Sequence, residues 1–185
     1  MVKDYAPRGF LYRFFVGLWS TWREIKIYKK LEGVPGIPRC YGKIDHYAFA
    51  IEYIPGRTTA TFQPGDLSAD FFLKLRRVID DVHARGIVLC DMRNNKNIIV
   101  TESNDPILID FCTAFERGGP FNLLKNKIHD IFYRDDLLGI AKLKKNLAPE
   151  LMSLREREEL EKGLPLQREV MFVRDVVRGF LKKLA

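Results

Sequence analysis

The chain has 185 residues, 46% of them hydrophobic, which is sufficient apolar material for one compact domain. Its 31 Lys and Arg residues against 24 Asp and Glu residues give a net charge of +7, which either favours contact with phosphates, nucleic acid or an anionic membrane or serves solubility alone. We find no internal repeat and no low-complexity tract, which excludes solenoids and disordered tails.

The cysteines and the apolar runs indicate the compartment. Cys40, Cys90 and Cys112 are odd in number and form no CxxC pair, which favours a reducing, cytoplasmic setting. No run reaches the roughly 18 apolar residues of a membrane span. The early stretch GFLYRFFVGLW is interrupted by Arg13 and lacks a small-residue cleavage site. We therefore expect neither a signal peptide nor a membrane anchor.

The first third of the chain predicts a strand, a helix and a hairpin. The strand covers residues 2–5, and the helix covers residues 10–31 and ends at Gly33. The apolar runs of CYGKIDHYAFAIEYIPG on either side of Asp45 and His46 predict a hairpin. Pro55 and Gly56 stop its second strand.

The rest of the chain is predicted to be mainly helical. Ser68 is a good N-cap, and apolar residues recur at helical spacing from there to Ala84. The remaining predicted elements are a hairpin of residues 98–100 with 107–109, a helix through 137–143, a helix capped by Ser153 and Glu156, and an amphipathic helix over 170–184.

Three polar residues surround the second predicted hairpin. Asp91 and Asn97 precede its first strand, and Asp110 follows its second strand. If the two strands pair, all three side chains emerge at the same end. Two carboxylates and an amide oxygen suit Mg²⁺, the metal of phosphoryl transfer. The alternative is that the two Asp residues simply cap turns at strand ends.

These residues lie in HARGIVLCDMRNNKNIIV and ILIDFCTA, which resemble two motifs of the protein-kinase superfamily. Those motifs are the catalytic loop H-R-D-x-x-x-x-N and the metal motif D-F-G. The resemblance implies that Asp91 is the catalytic Asp, which orients the acceptor hydroxyl or accepts its proton. It implies that Asn97 and Asp110 bind the Mg²⁺ that accompanies ATP.

The same resemblance implies a strand Lys on the nucleotide phosphates and a helix Glu that holds it. Lys3 in MVKDY and Glu24 in WREIKIYKKL satisfy this requirement, and both are assigned to the catalytic site. Lys3 also belongs to the ATP site, together with Glu52, Tyr53 and Ile54, which resemble the hinge that binds adenine. The alternatives are a solvated Lys3 and an exposed helix charge at Glu24.

Within the superfamily, the chain resembles small bacterial kinases of the RIO type and the sugar (Kdo) kinases of lipopolysaccharide core. The stretches EYIPGR and RDDLLGIAKLKKNLAPEL are the basis of this more specific resemblance. The resemblance as a whole extends over about residues 2–150. It implies a serine/threonine-kinase-like enzyme whose acceptor is a hydroxyl of a protein or of a core sugar.

The chain departs from the family pattern at four places. The loop from Asp91 to Asn97 is one residue longer than the motif, and Leu89 and Cys90 replace His-Arg. Without that Arg, regulation by a phosphorylated activation segment is not expected. Cys112 replaces the Gly of D-F-G, which restricts backbone freedom. No Gly-rich loop precedes the predicted strand. Three explanations stay open: the native start of the protein lies upstream, the protein binds ATP without that lid, or it no longer transfers phosphate.

For several charged residues the sequence allows either a structural or a functional role. His83 is expected to be a hydrogen-bonded structural residue because the helix stripe carries it inward. Arg93 and Lys96 either neutralise the transferred phosphoryl group or an acidic acceptor, or are solvated loop charges. The last predicted helix has an apolar stripe opposite basic residues, so it either lies on anionic lipid or packs on its own domain.

Together these features predict an α+β chain with a minimal, bilobed protein-kinase-like fold. The expected parts of this single domain are a reduced N-terminal lobe over residues 1–55, a hinge and linker over 56–66, and a mainly helical lobe over 67–185. The expected function is transfer of the γ-phosphate of Mg-ATP, with a pseudokinase-type binding module as the alternative. Peripheral contact with the inner membrane face is a further expectation, whereas nucleic acid is disfavoured because no recognition motif occurs.

Overall fold

A computed structural model describes residues 1–5 and 18–163, without the side chains of residues 18 and 19. Residues 10–17 of the first predicted helix and the predicted helix over 170–184 lie outside these described residues. Within the described part of the chain, no helix is long and apolar enough to cross a membrane.

A small antiparallel sheet and one helix form the N-terminal part. The sheet contains β1 (Val2–Asp4), β2 (Cys40–Lys43) and β3 (Ala48–Ile51), with β3 in the centre. Helix α1 (Leu18–Lys30) packs against β2 and β3. The predicted order of strand, helix and hairpin is therefore confirmed, and the hairpin follows from the two apolar runs on either side of Asp45 and His46.

Five short strands build two further sheets. They are β4 (Arg57–Thr58), β5 (Ile87–Val88), β6 (Ile98–Val100), β7 (Pro106–Leu108) and β8 (Phe115–Glu116). One sheet has the order β4-β6-β7, and the other pairs β5 with β8. The pairing of β6 with β7 confirms the predicted hairpin. Strand β4 lies within residues 56–66, the segment expected to act as hinge and linker.

Three helices complete the described chain: α2 (Ala69–Ala84), α3 (Leu123–Leu147) and α4 (Leu154–Lys162). The Ser68 hydroxyl caps α2 by accepting from the Phe71 backbone N–H at 3.3 Å. Ser153 and Glu156 form the predicted capping box of α4. Helix α3 extends 14 residues before the apolar stretch at 137–143 that predicted it.

One hydrophobic core joins α1, the sheets, α2 and α3. The ring of Tyr28 on α1 meets the ring of Phe111 edge-on, with centroids 4.8 Å apart, and Phe49 of β3 lies beside Tyr28. These three side chains are at most 1% exposed. Aromatic packing therefore fixes α1 against the segment that follows β7, where the predicted metal motif lies.

Candidate functional site

Lys3 and Glu24 meet between β1 and α1. The Lys3 ammonium donates to Glu24 Oε1 and, at 3.2 Å, to Asp110 Oδ1. Glu24 is fully buried, and its carboxylate also accepts from the Tyr5 hydroxyl at 2.9 Å and from the Phe111 backbone N–H at 3.0 Å. Each Glu24 oxygen therefore has a donor, which a buried carboxylate needs.

Burial and charge act against each other in this cluster. Burial alone would lower the pKa of Lys3, but the carboxylates of Glu24 and Asp110 outweigh it and raise that pKa above its usual range. Burial raises the pKa of Glu24, and Lys3 opposes the rise. For Asp110, burial favours the neutral acid, yet the nearby Lys3 ammonium lowers its pKa overall. The cluster thus presents an ionised Asp110 beside a charged Lys3.

Asp110 has a left-handed backbone, with φ at 69°. Asp tolerates this conformation better than most residues, but it still carries a strain cost of about 1 kcal/mol or more. The backbone N–H of Ile109 donates to Asn97 O at 2.9 Å, and β7 ends at Leu108, one residue earlier than predicted. The Asp110 side chain remains 38% exposed, so its carboxylate stays open to a ligand.

Asp91 and Asn97 lie together on the loop before β6. Asn97 Nδ2 donates to Asp91 Oδ2 at 3.4 Å, and Asn94 Nδ2 lies 3.4 Å from the same oxygen and 3.2 Å from Asn97 Oδ1. Backbone hydrogen bonds from Asn94 N to Asp91 O and from Asn97 N to Asn94 O form two successive turns. These turns accommodate the extra residue of the loop, and Asn94 is a contact that sequence reasoning missed.

Asp136 of α3 holds the start of this loop. Its carboxylate, with no solvent exposure, accepts from the backbone N–H groups of Leu89 at 2.8 Å and Cys90 at 3.0 Å. It also lies 2.9 Å from His83 Nε2, which confirms that His83 is a hydrogen-bonded structural residue. Burial raises the pKa of Asp136, and the three N–H donors oppose that rise.

The role of Asp136 was not predicted, although the sequence contains a signal for it. Asp136 stands on the same helical stripe as the buried residues Ile140, Leu143 and Leu147, at spacings of four, three and four. A carboxylate on a buried stripe requires donors, because an unpaired buried charge is very costly. That requirement points to nearby backbone N–H groups.

The two uncertain loop cations have different environments. Arg93 pairs with Asp135 of α3, and its side chain is only 17% exposed. Arg93 is therefore not a solvated loop charge; its guanidinium holds the loop to α3. Lys96 is exposed.

The predicted hinge follows β3 directly. The Glu52 backbone donates to Arg39 O at 2.7 Å, and the Glu52 carboxylate accepts from the Arg39 N–H at 3.1 Å. Among the described residues, no atom accepts a hydrogen bond from the backbone N–H of Tyr53 or Ile54. Tyr53 is 71% exposed. Two backbone donors therefore remain open at this edge.

The structure thus gathers the predicted residues into two neighbouring groups and one separate edge. Lys3, Glu24 and Asp110 form the first group, and Asp91 with Asn97 forms the second. The hydrogen bond between Ile109 and Asn97 joins the groups through adjacent backbones. The predicted hinge continues from β3, the strand that pairs with β1 and its Lys3.

No family model matches the chain, and no curated protein matches it. Solved structures do: 408 chains match, among them the Rio2 kinase from Chaetomium thermophilum. That kinase superposes with a TM-score of 0.58 at 16% sequence identity, over 78% of this chain and 43% of the kinase chain. The chain therefore spans less than half the length of that protein.

The likeness defines the fold class. The chain has a protein-kinase-like fold of α+β type, with a reduced N-terminal part and a mainly helical C-terminal part, as the sequence predicted. The finer assignment to bacterial RIO-like or core sugar kinases stays a prediction, and so do the roles of the site residues.

The donor set fits a magnesium ion. Within the described residues, no group of three or more His, Cys, Asp or Glu side chains could hold a metal by itself. Mg²⁺ does not need such a group, since it is commonly held by one or two carboxylates together with waters and substrate phosphates. The ionised Asp110 carboxylate and the Asn97 amide oxygen are hard oxygen donors on adjacent backbones, so the residues fit this ion.

Proposed function

We propose that the chain is a phosphotransferase that moves the γ-phosphate of Mg-ATP to a hydroxyl acceptor. The observation that carries this proposal is the Lys3 ammonium held between Glu24 and Asp110. A buried Glu that fixes a Lys beside an ionised Asp provides a cation for phosphate and a carboxylate for metal within one cluster. A kinase-like fold supports the same conclusion at a coarser level.

Each residue of the site has a proposed task. Lys3 binds phosphate oxygens of the nucleotide, and Glu24 keeps its ammonium in place. Tyr53 and Ile54 offer backbone N–H donors to the adenine, on the edge that begins at Glu52. Asp91 orients the acceptor hydroxyl and takes its proton as the new O–P bond forms and the bond from the γ-phosphorus to the bridging oxygen of the ADP leaving group breaks.

Asp110 and Asn97 are the residues that would hold Mg²⁺. The bound ion neutralises the charge of the phosphate oxygens. The low pKa of Asp110 keeps its carboxylate ionised at neutral pH, which metal binding requires. Asn97 Nδ2 donates to Asp91, and Asn97 Oδ1 accepts from Asn94 Nδ2 at 3.2 Å. An amide oxygen has two acceptor sites, so the second would bind the ion.

The acceptor is proposed to be a hydroxyl of a protein Ser or Thr or of a lipopolysaccharide-core sugar, in the cytoplasm. The motifs describe the donor side of the reaction, so both acceptor classes stay in the proposal. A screen against both classes follows once nucleotide binding is measured.

A pseudokinase-type binding module is the second candidate. One sequence feature favours it: Cys112 stands in the position of the D-F-G glycine. Such a module would bind nucleotide without transferring phosphate. It differs from the first candidate only at the chemical step, so binding and transfer must be measured separately.

The test is calorimetric titration of ATP into the full chain with and without Mg²⁺. We expect metal-dependent binding that Lys3→Met and Asp110→Asn each weaken by at least about tenfold, because each removes a charge that contacts phosphate or metal. Lys43→Met and Asp80→Asn are matched controls at exposed positions and should bind like the parent. Absence of binding at millimolar ATP would contradict the proposed function.

ADP release then separates the two candidates. Transfer that Asp91→Asn abolishes, with ATP affinity unchanged, supports the phosphotransferase. Binding without any ADP release across both acceptor classes supports the pseudokinase.

A further inference from the structure

Three large apolar side chains project into solvent at the start of α3. Phe121, Leu123 and Leu124 are 97%, 76% and 72% exposed, and we call them the apolar tip. They follow Gly118, Gly119 and Pro120 on the segment between β8 and α3. Exposed single apolar residues are ordinary, but three within four positions form a patch of the kind that marks an interaction surface.

Two basic residues lie on the C-terminal side of the apolar tip. Lys125 and Lys127 follow it directly, and among the described residues neither forms an ion pair. Lys125 Nζ lies 5.4 Å from the centre of the Phe115 ring. The carboxylates nearby are already paired, Glu116 with two lysines of α1 and Asp130 with Arg117. The neighbourhood of the apolar tip is therefore cationic.

We propose that the apolar tip docks on an anionic lipid bilayer. Apolar side chains flanked by lysines match a surface in which acyl chains lie beneath negatively charged headgroups. A bilayer takes up projecting apolar side chains without a preformed pocket, and its anionic headgroups complement the two lysines that follow the tip. The observations therefore favour lipid over an acidic protein.

The apolar tip lies on the part of the chain that runs from Asp110 through β8 into α3. The Thr113 hydroxyl donates to Leu89 O at 3.0 Å, and β8 pairs with β5 just before the loop that carries Asp91. Lipid docking itself does not depend on the proposed function, because it is measured without nucleotide.

Vesicle sedimentation of the full chain tests the proposal. We expect binding to vesicles of phosphatidylcholine mixed with phosphatidylglycerol, and weak binding to pure phosphatidylcholine. The triple variant Phe121→Ser, Leu123→Ser and Leu124→Ser should lower the partition coefficient at least about tenfold, because apolar burial is lost. The double variant Leu73→Ser and Leu154→Ser, at exposed positions elsewhere, should bind like the parent.

Two double lysine variants test whether the charge beside the apolar tip contributes to vesicle binding. Lys125→Gln with Lys127→Gln should weaken binding to anionic vesicles and reduce its salt dependence. The control variant Lys142→Gln with Lys145→Gln, at the other end of α3, should change neither the binding to anionic vesicles nor its salt dependence. All four substitutions are conservative in size.

Three outcomes would overturn the proposal. They are a parent chain that does not bind anionic vesicles, a triple variant that binds as well as the parent, and a parent chain that self-associates through the tip instead. Light scattering detects the last outcome as a molar mass that falls in the triple variant. Circular dichroism of each variant verifies that the comparison is between folded proteins.

Discussion

Asp136 is a single buried carboxylate that fixes the backbone of the proposed catalytic loop, residues 89–97. It accepts from two consecutive backbone N–H groups and contacts His83. Cys90, the second of those donors, has a left-handed φ of 63°. A strained residue immediately before Asp91 persists only where its surroundings determine it, and Asp136 provides those bonds.

We predict that Asp136→Ala destabilises the fold by about 3–5 kcal/mol, because it leaves two buried N–H groups and His83 without an acceptor. Asp136→Asn retains one acceptor oxygen and should cost less. Urea unfolding followed by circular dichroism measures both changes. The exposed Asp130→Asn on the same helix is the control and should stay within about 0.5 kcal/mol of the parent. Equal stability of Asp136→Ala and the parent would contradict this role.

Motif residues of the site are predictable from the sequence, whereas their hydrogen-bond partners are not. Lys3, Glu24 and Asp110 were recognisable because they stand in motif positions, and the structure brings their side chains together. Tyr5 and Asn94 were not predicted, since a hydroxyl or amide contact to a neighbouring carboxylate leaves no periodic pattern in the sequence. Such contacts depend on tertiary geometry.

Helix α1 is attached to the segment after the metal motif by charge. Lys26 and Lys30 both bind the Glu116 carboxylate, and Arg23 donates to Ala114 O. The hydrogen bonds from Lys30 and Lys26 lower the pKa of Glu116 to about 2. These contacts hold the helix that carries Glu24 against the segment after the metal motif.

We predict that Glu116→Gln destabilises the chain by about 1 kcal/mol at most at neutral pH, because the ion pairs are partly exposed. The folded pKa lies below the usual value of 4.5, so this stabilisation is present above about pH 4.5 and is lost as pH falls through about 2. Unfolding measured across pH should show parent and variant converging toward pH 2. A difference that stays constant down to pH 2 would exclude the carboxylate as its cause.

Gly139 permits α3 to approach the proposed catalytic loop. A Cβ at this position would lie 2.6 Å from Met92 Cβ and 3.3 Å from its carbonyl carbon. Met92 follows Asp91 directly. The glycine therefore sets the spacing between helix and loop, although glycine within a helix is intrinsically unfavourable.

We predict that Gly139→Ala is destabilising by about 1–3 kcal/mol, although Gly→Ala within a helix ordinarily stabilises by about 1 kcal/mol. The clash of the added Cβ with Met92 outweighs the usual stabilisation, so the free energy of unfolding falls. Thermal unfolding measures the change. Gly119→Ala, where no atom lies within 4 Å of the added Cβ, is the matched control and should be close to neutral. A Gly139→Ala variant that is more stable than the parent would contradict this prediction, because it would mean that the loop moves away from the added Cβ at little cost.

Across the whole molecule, sequence patterns predicted the long elements and the fold class. The hairpin of β6 and β7 followed from two short apolar runs, and the Ser68 cap of α2 followed from capping chemistry. Strands β4, β5 and β8 have two residues each, which is too short for any period. The first turns of α3 were missed because Leu123 and Leu124 face solvent and break the stripe.

The protein-kinase-like fold explains why such distant parts of the chain form one site. Lys3 and Asp110 are 107 residues apart, and Glu24 and Phe111 are 87 residues apart. The Tyr28 ring against Phe111 and the Asp136 carboxylate under the loop hold these parts in place. Fold and proposed chemistry therefore depend on the same buried contacts.

NMR of the labelled chain with Mn²⁺ and a non-hydrolysable ATP analogue tests whether Asp110 and Asn97 form a metal-nucleotide site. Paramagnetic Mn²⁺ replaces Mg²⁺ at oxygen sites and broadens the signals of nearby amides. We expect selective broadening at Asn97, Ile98, Phe111 and Cys112, and its loss in Asp110→Asn. Broadening confined to the exposed acidic residues of α4, or none at all, would contradict a metal-nucleotide site at Asp110.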